Sequence, residues 1–230
     1  MKEFIGDSLF FGIALSLVAY LVGTILHSRF KIFIFNPLLV SITISIITLY
    51  LLDIDYQSYN NGAKFLSYLL TPATVCLAIP LYEQIKPLKN NLTAIIIGIG
   101  SGVLSSAATI LFLSLLFRLE HTQYVTLLPK SITTAIGIGL SQELGGYIAI
   151  TVASIIITGL FGNIAGEALC RILRIKHPVA KGIAIGTSTH VMGTAKAMEI
   201  GEIEGAMSSL SVAVAGCMTV LVAILFEGAI

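Results

Sequence analysis

Charge is what this chain has least of. Of its 230 residues, 11% are charged and 56% hydrophobic, and the mean hydropathy is +0.97. A soluble domain carries about 25% charged residues, so that class is excluded. Thirteen Lys and Arg against twelve Asp and Glu leave a net charge of +1, and no basic run stands out. A nucleic-acid partner is excluded with it. Cysteine is scarce as well. Cys76, Cys170 and Cys217 lie isolated in apolar runs without CxxC spacing and read as small buried hydrophobes.

Other signatures are missing. No His/Cys/carboxylate cluster has metal-ligand spacing. "GIGSG" at 98–102 lacks the GxGxxG spacing and the strand–helix context of a nucleotide site, and reads as a helix-packing face. No serine sits in a GxSxG turn. No metal and no cofactor are expected. An enzyme is a remote reading, resting on Ser188 beside His190 alone.

What the chain does have is long apolar sequence. The runs 9–26, 32–52, 65–81, 92–117, 147–169 and 206–226 approach or exceed the roughly 18 residues that suggest a membrane-spanning helix. The first follows one early lysine without a small-residue cleavage site and reads as a retained span. No linker or low-complexity tail divides the chain, so residues 1–230 are expected to form one integral membrane domain.

Basic residues concentrate in cytoplasmic loops. A topology with eight inside (Arg29, Lys31, Lys86, Lys89, Arg171, Arg174, Lys176, Lys181) and three outside (Lys2, Lys64, Arg118) requires the segment 124–142 to enter and leave on one side. Its sequence agrees: "QYVTLLPKSITTAIGIGLSQELGG" holds Pro129 and Lys130 and is rich in hydroxyls and glycine. Broken backbone in a membrane must be sheltered by protein or line a cavity. A second segment, 181–197, contains "GTSTHVMGTAKA" and is expected to enter from the inside. The expectation is an all-α polytopic membrane protein of about six full spans and two re-entrant hairpins, with both termini outside.

The hairpins align at an offset of 56. Ser131-x-Thr133-x3-Gly137-x5-Glu143-Leu144-Gly145 matches Thr187-x-Thr189-x3-Gly193-x5-Glu199-Ile200-Gly201, and each is followed by a long apolar run. Residues 124–171 and 181–227 therefore form a possible inverted repeat, the arrangement that puts a substrate site of secondary transporters near the midplane. Chance matching of small residues at helix contacts is the alternative.

An ionisable group inside a bilayer usually faces a cavity and has a function. Lys130 and Lys196 are the basic side chains that this topology places within the membrane, with His190 beside them. Two ammonium groups, the hydroxyls of Ser131, Thr133, Thr134, Thr187 and Thr189, and open helix N-termini suit a small carboxylate. His190 can change charge near neutral pH, which makes it the proton-coupling candidate. The competing readings are snorkelling or pairing with Glu143 and Glu199 for the lysines, and a hydrogen-bonded helix contact for the histidine. Asn36-Pro37 and Pro72, with Thr71 and Thr74 nearby, mark either unwound pathway segments or simple kinks. Asp53, Asp55, Glu202 and Glu204 read as solvated loop charges.

"NPLL" (36–39), "PATVCLAIPLYEQ" (72–84), "LLPKSITT" (127–134) and "KGIAIGTSTHVMGTAKA" (181–197), in this order and spacing, resemble the LrgB/CidB family of bacterial membrane proteins. The resemblance covers nearly the whole chain, and the family's functional positions that it implies fall on Pro129, Lys130, Ser131 and Thr133 in one motif and on Gly186, Thr187, His190, Gly193, Thr194 and Lys196 in the other. It implies an antiholin-like regulator of cell-wall hydrolase export and lysis, working with a small LrgA/CidA-type membrane partner. It also implies transport of a small monocarboxylate, pyruvate- or glycolate-like, since family members are linked to pyruvate and the plastid glycolate/glycerate translocator looks like a fusion of the two partners. One departure is Ala135, where a proline commonly follows "TT" in the family. The expected setting is the bacterial cytoplasmic membrane. The expected function is a proton-coupled carrier, with the regulator as alternative. Self-association through Gly98, Gly102, Ser105 and Ser106 and ordinary internal packing of that face both remain open.

Overall fold

The computed structural model describes residues 8–30, 35–69, 72, 75, 76 and 78–230. These residues are helical with connecting turns. The chain divides into two compact units, residues 1–76 and 77–230.

The first unit holds α1 (Leu9–Phe30), α2 (Pro37–Leu52) and α3 (Tyr56–Ser67). Asn36 and Pro37 start α2. The Asn36 side-chain oxygen accepts from the N–H of Leu38 at 3.0 Å and of Leu39 at 3.4 Å, and Pro37 occupies the first turn, where its missing N–H costs nothing. The helix ends at Asp53 in a left-handed conformation (φ 54°), and Asp55 caps α3 by accepting from Gln57 N–H at 2.8 Å. Gly12 lets α1 approach the α3 backbone at Tyr59 and Ala63, and the Ser16 and Tyr59 hydroxyls pair at 2.8 Å.

The second unit runs α4 (Ala78–Glu83), α5 (Ile85–Asn90), α6 (Leu92–Phe117), α7 (His121–Leu127), α8 (Thr134–Glu143), α9 (Ile148–Ile172), α10 (Pro178–Ile200) and α11 (Glu202–Phe226). Among the described residues, α1, α6, α9 and α11 are long and apolar enough to cross a membrane, against an expectation of about six spans. α2 has 16 residues, about 24 Å at 1.5 Å per residue. The run 65–81 is not one helix: α3 ends at Ser67, Tyr68 and Leu69 turn, and α4 is six residues long. Pro72 and Pro80 in that run each lack the N–H that a continuous helical ladder needs.

The core of the second unit packs Ile95, Ile99 and Val103 of α6 against Val179 and Ile183 of α10 and Met207 of α11. A second cluster joins Ala107 and Ile110 to Tyr124, Val125, Leu128 and Ile132. Outward-facing Leu115, Leu116, Phe117, Ile157 and Leu225 are more than half exposed, as on a surface that meets lipid or another protein. Cys76 and Cys217 are exposed as well, so the reading of all three cysteines as buried holds for Cys170 alone.

Two segments enter this unit and turn back. α10 breaks at His190, whose backbone (φ 46°, ψ −144°) lies outside the helical region. Both of its legs, 178–189 and 191–200, return to the start of α11. Lys181 Nζ lies 3.6 Å from Glu204 Oε1 on one leg, while Met198 packs against Gly205 on the other. The legs span about 18 and 15 Å, roughly half of a bilayer core of about 30 Å.

The other segment is α7, a turn over 128–133, and α8. Thr126 on its entry leg accepts from Tyr147 N–H at 2.8 Å, and its carbonyl accepts from Thr151 Oγ1 at 2.9 Å. Ser141 on the exit leg sits 2.7 Å from the same Thr151 hydroxyl. Both legs therefore pass beside the start of α9, and Tyr124 OH donates to Phe226 O at the end of α11 (2.8 Å). The first hairpin shares an end with the start of α9 and the second with its finish, so the two enter from opposite ends.

Candidate functional site

The tips of the two hairpins meet α6 at its centre. Gly102 and Ser106 lie either side of the midpoint of its 26 residues. Gly102 faces Thr187, whose methyl carbon would stand 2.8 Å from a Cβ at that position, so a side chain there would push the second hairpin away. Ser106 Oγ lies 3.4 Å from Ser131 Oγ on the first hairpin tip.

Between these elements is a cavity of 730 Å³. One wall is the small-residue face of α6 (Gly98, Gly102, Ser105, Ser106 and Thr109), and the facing wall is Ile183, Ala184, Thr187 and Ser188 from the entry leg of α10. Asn91 and His177, at the starts of α6 and α10, stand at one end, and Lys130 and Ser131 line it deeper along α6.

Lys130 is the charged group of this cavity. Its ammonium donates to Ser131 Oγ at 3.0 Å, and among the described residues no carboxylate lies within ion-pair distance of it. α8 starts immediately after the tip, and its N-cap, Thr133, makes no side-chain capping bond. The first N–H groups of α8 add positive potential near the tip. Thr187 is 7% exposed, and its hydroxyl has no hydrogen-bond partner among the described residues.

Of the residues singled out from sequence, Lys130, Ser131 and Thr187 share this cavity. The others lie elsewhere. Thr133 and Thr134 start α8. Thr189 donates to Ile185 O at 2.6 Å; Thr194 donates to His190 O at 3.0 Å and stands 2.7 Å from Ser208 Oγ. Both are buried and bonded internally. His190 at the break donates from Nε2 to Ile155 O at 3.0 Å, about a third of the way along α9, and Gly159 leaves room for its ring. Lys196 lies outside the cavity, with Nζ 2.9 Å from Glu199 and 3.7 Å from Glu167. Pro129 is fully buried behind Lys130. Asn36 and Pro37 belong to the first unit as the start of α2, Pro72 is exposed, and Thr71 and Thr74 lie outside the described residues.

Two features escaped sequence reasoning. Ser106 and its neighbours on α6 read as a packing face, and Gly98 and Gly102 are indeed covered by Ile183 and Thr187. The signal for a second role was the polar recurrence Ser101, Ser105 and Thr109 along an apolar span. Glu204 read as solvated, yet it is 8% exposed and paired with Lys181, because the return of both hairpin legs covers the start of α11.

Together these features define a multi-pass membrane protein in which broken segments from opposite ends converge on a largely apolar cavity that carries a few polar groups. Residues 16–228 match the model of the LrgB-like family, and the chain belongs to that family. Over 218 residues it is 37% identical to the antiholin-like protein LrgB of Bacillus mycoides (strain KBAB4), Bacillus cereus (strain B4264) and Bacillus anthracis (strain CDC 684 / NRRL 3495), covering 94% of this chain and 95% of each relative. No solved structure matches the chain.

Proposed function

We propose that this chain is a secondary carrier of small monocarboxylates, pyruvate- or glycolate-like, in the bacterial cytoplasmic membrane. The observation that carries the reading is Lys130: an ammonium without a carboxylate partner among the described residues, on a hairpin tip, lining a cavity with hydroxyls and beside an open helix N-terminus. A small anion would supply the missing charge. The opposed hairpins support an inverted repeat over 124–171 and 181–227, the architecture that lets a fixed site face alternate sides. In this reading the basic clusters lie inside and both termini outside, the chain works with a small LrgA/CidA-type partner, and uptake is coupled to protons. His190 remains the coupling candidate, with one ring nitrogen bonded to Ile155.

The second reading is the one that the relatives' printed name favours, an antiholin-like regulator without a transported substrate. Uptake of labelled pyruvate and glycolate into proteoliposomes separates the two, measured with and without an imposed pH gradient and with and without the partner. The carrier reading expects saturable, gradient-driven uptake that is lost in Lys130→Met while the variant still reaches the membrane. Uptake kinetics unchanged by Lys130→Met would remove the proposed site. No uptake from folded protein in either composition would favour the regulator.

A further inference from the structure

Beside the main cavity is a second, much smaller void of 10 Å³. It shares Ser106, Ser131 and Thr187 with the cavity, adds Thr219 of α11, and is otherwise walled by apolar side chains such as Val103 and Leu128. Its volume is about that of one water-sized probe. Four hydroxyl residues thus surround room for a single oxygen atom, next to the residues that would hold a carboxylate. One of those hydroxyls, Thr187, is buried and has no partner among the described residues. An unmade hydrogen bond at a buried hydroxyl is unfavourable by more than a made one is favourable, so the site gains most from an occupant that restores it.

We propose that this niche receives the oxygen on carbon 2 of the substrate, with Thr187 as the residue that distinguishes 2-oxo and 2-hydroxy acids from unsubstituted ones. The inference rests on the carboxylate reading of the same site. With the carboxylate on Lys130 and Ser131, the neighbouring carbon carries its oxygen into the niche, where Thr187, Thr219 and Ser106 offer hydroxyls that can donate to a ketone or exchange bonds with an alcohol. A methylene in that place leaves the Thr187 hydroxyl unpaired. A site built to hydrogen-bond an oxygen rejects the analogue lacking it more strongly than an apolar pocket rejects an added group. Among the described residues Lys130 alone supplies positive charge at this end of the cavity, so the niche selects among monocarboxylates.

Pyruvate and propionate differ at this position and have similar length, so their competition for labelled pyruvate uptake into proteoliposomes reads the niche directly. The measured quantity is the ratio of their inhibition constants. Thr187→Val keeps the methyl that packs on Gly102 and removes the hydroxyl; it is expected to lower the preference for pyruvate about three- to tenfold, and Thr187→Ser to retain it. Thr219→Val tests the niche from α11, carries the test if Thr187→Val does not reach the membrane, and is expected to shift the ratio in the same direction. Wild-type preference in a valine variant that still transports pyruvate would overturn the inference and leave the carrier reading standing. Absence of saturable uptake by the wild-type protein would overturn both.

Discussion

At the scale of single residues, the two lysines that the sequence reading placed within the membrane part company. A cation in the membrane interior is unfavourable by at least roughly 2.5–3.5 kcal/mol, so each must be neutralised by something. Lys196 has Glu199 and Glu167; Lys130 has only the Ser131 hydroxyl among the described residues. Sequence offered Glu143 and Glu199 as partners; Glu199 does pair with Lys196, Glu167 joins it from another helix, and among the described residues Glu143 does not reach Lys130. Lys130→Met should therefore eliminate uptake, whereas Lys196→Met should leave the KM for pyruvate within about threefold of wild type and act on hairpin stability instead. A full set of uptake kinetics checks the pair, and equal loss in both variants would return Lys196 to the site. Glu204 teaches the same lesson. Its neighbours in sequence are polar, and only the return of two hairpin legs explains its burial.

At the scale of elements, the second hairpin depends on close approach and on one unusual backbone. Gly186 faces the backbone of Ser208, where any side chain must displace α11. Gly186→Val should destabilise the protein by about 1–3 kcal/mol or more, the usual range for overpacking, read as a lower midpoint of heat-induced loss of monodisperse protein in detergent. His190 sits at φ 46°, where a residue with a Cβ is strained by about 1–3 kcal/mol, and its ring holds the tip to Ile155. Glycine relieves the strain but loses the ring; alanine keeps the strain and loses the ring as well. The expected order of thermal stability is wild type, then His190→Gly, then His190→Ala. Alanine outlasting glycine would contradict this account of the break.

Element boundaries were legible where composition and capping agreed. The run 92–117 coincides with α6 because Asn91 and Arg118 flank unbroken apolar sequence. Asn36-Pro37 read as a disturbance within a span because the apolar run continues across it, whereas Asn36 is a helix cap with Pro37 in the first turn. The 65–81 run looked like a span by hydropathy alone, which does not register the missing N–H groups of Pro72 and Pro80.

At the scale of the whole chain, what the sequence could not give was the meeting of distant parts. "PKS" at 129–131 and "GTST" at 186–189 are polar stretches more than fifty residues apart, and nothing in either states that both reach the centre of α6. Their convergence follows from hairpins that enter the second unit from opposite ends. The 730 Å³ cavity between them is the feature on which the carrier reading depends. The regulator reading predicts instead that this interior is silent, and that surfaces facing lipid or partner carry the function.

The central claim is that a small carboxylate occupies this cavity, and thiol protection tests it most directly. Ser188 is exposed on the cavity wall, so Ser188→Cys, in a protein carrying Cys76→Ala, Cys170→Ala and Cys217→Ala, places one thiol at the site. In membrane vesicles open to both sides, the account predicts that a water-soluble maleimide labels this thiol and that pyruvate slows the labelling severalfold in a saturable way. It also predicts that added Lys130→Met removes the protection. Labelling at the same rate with and without saturating pyruvate, from protein that remains folded, would contradict it.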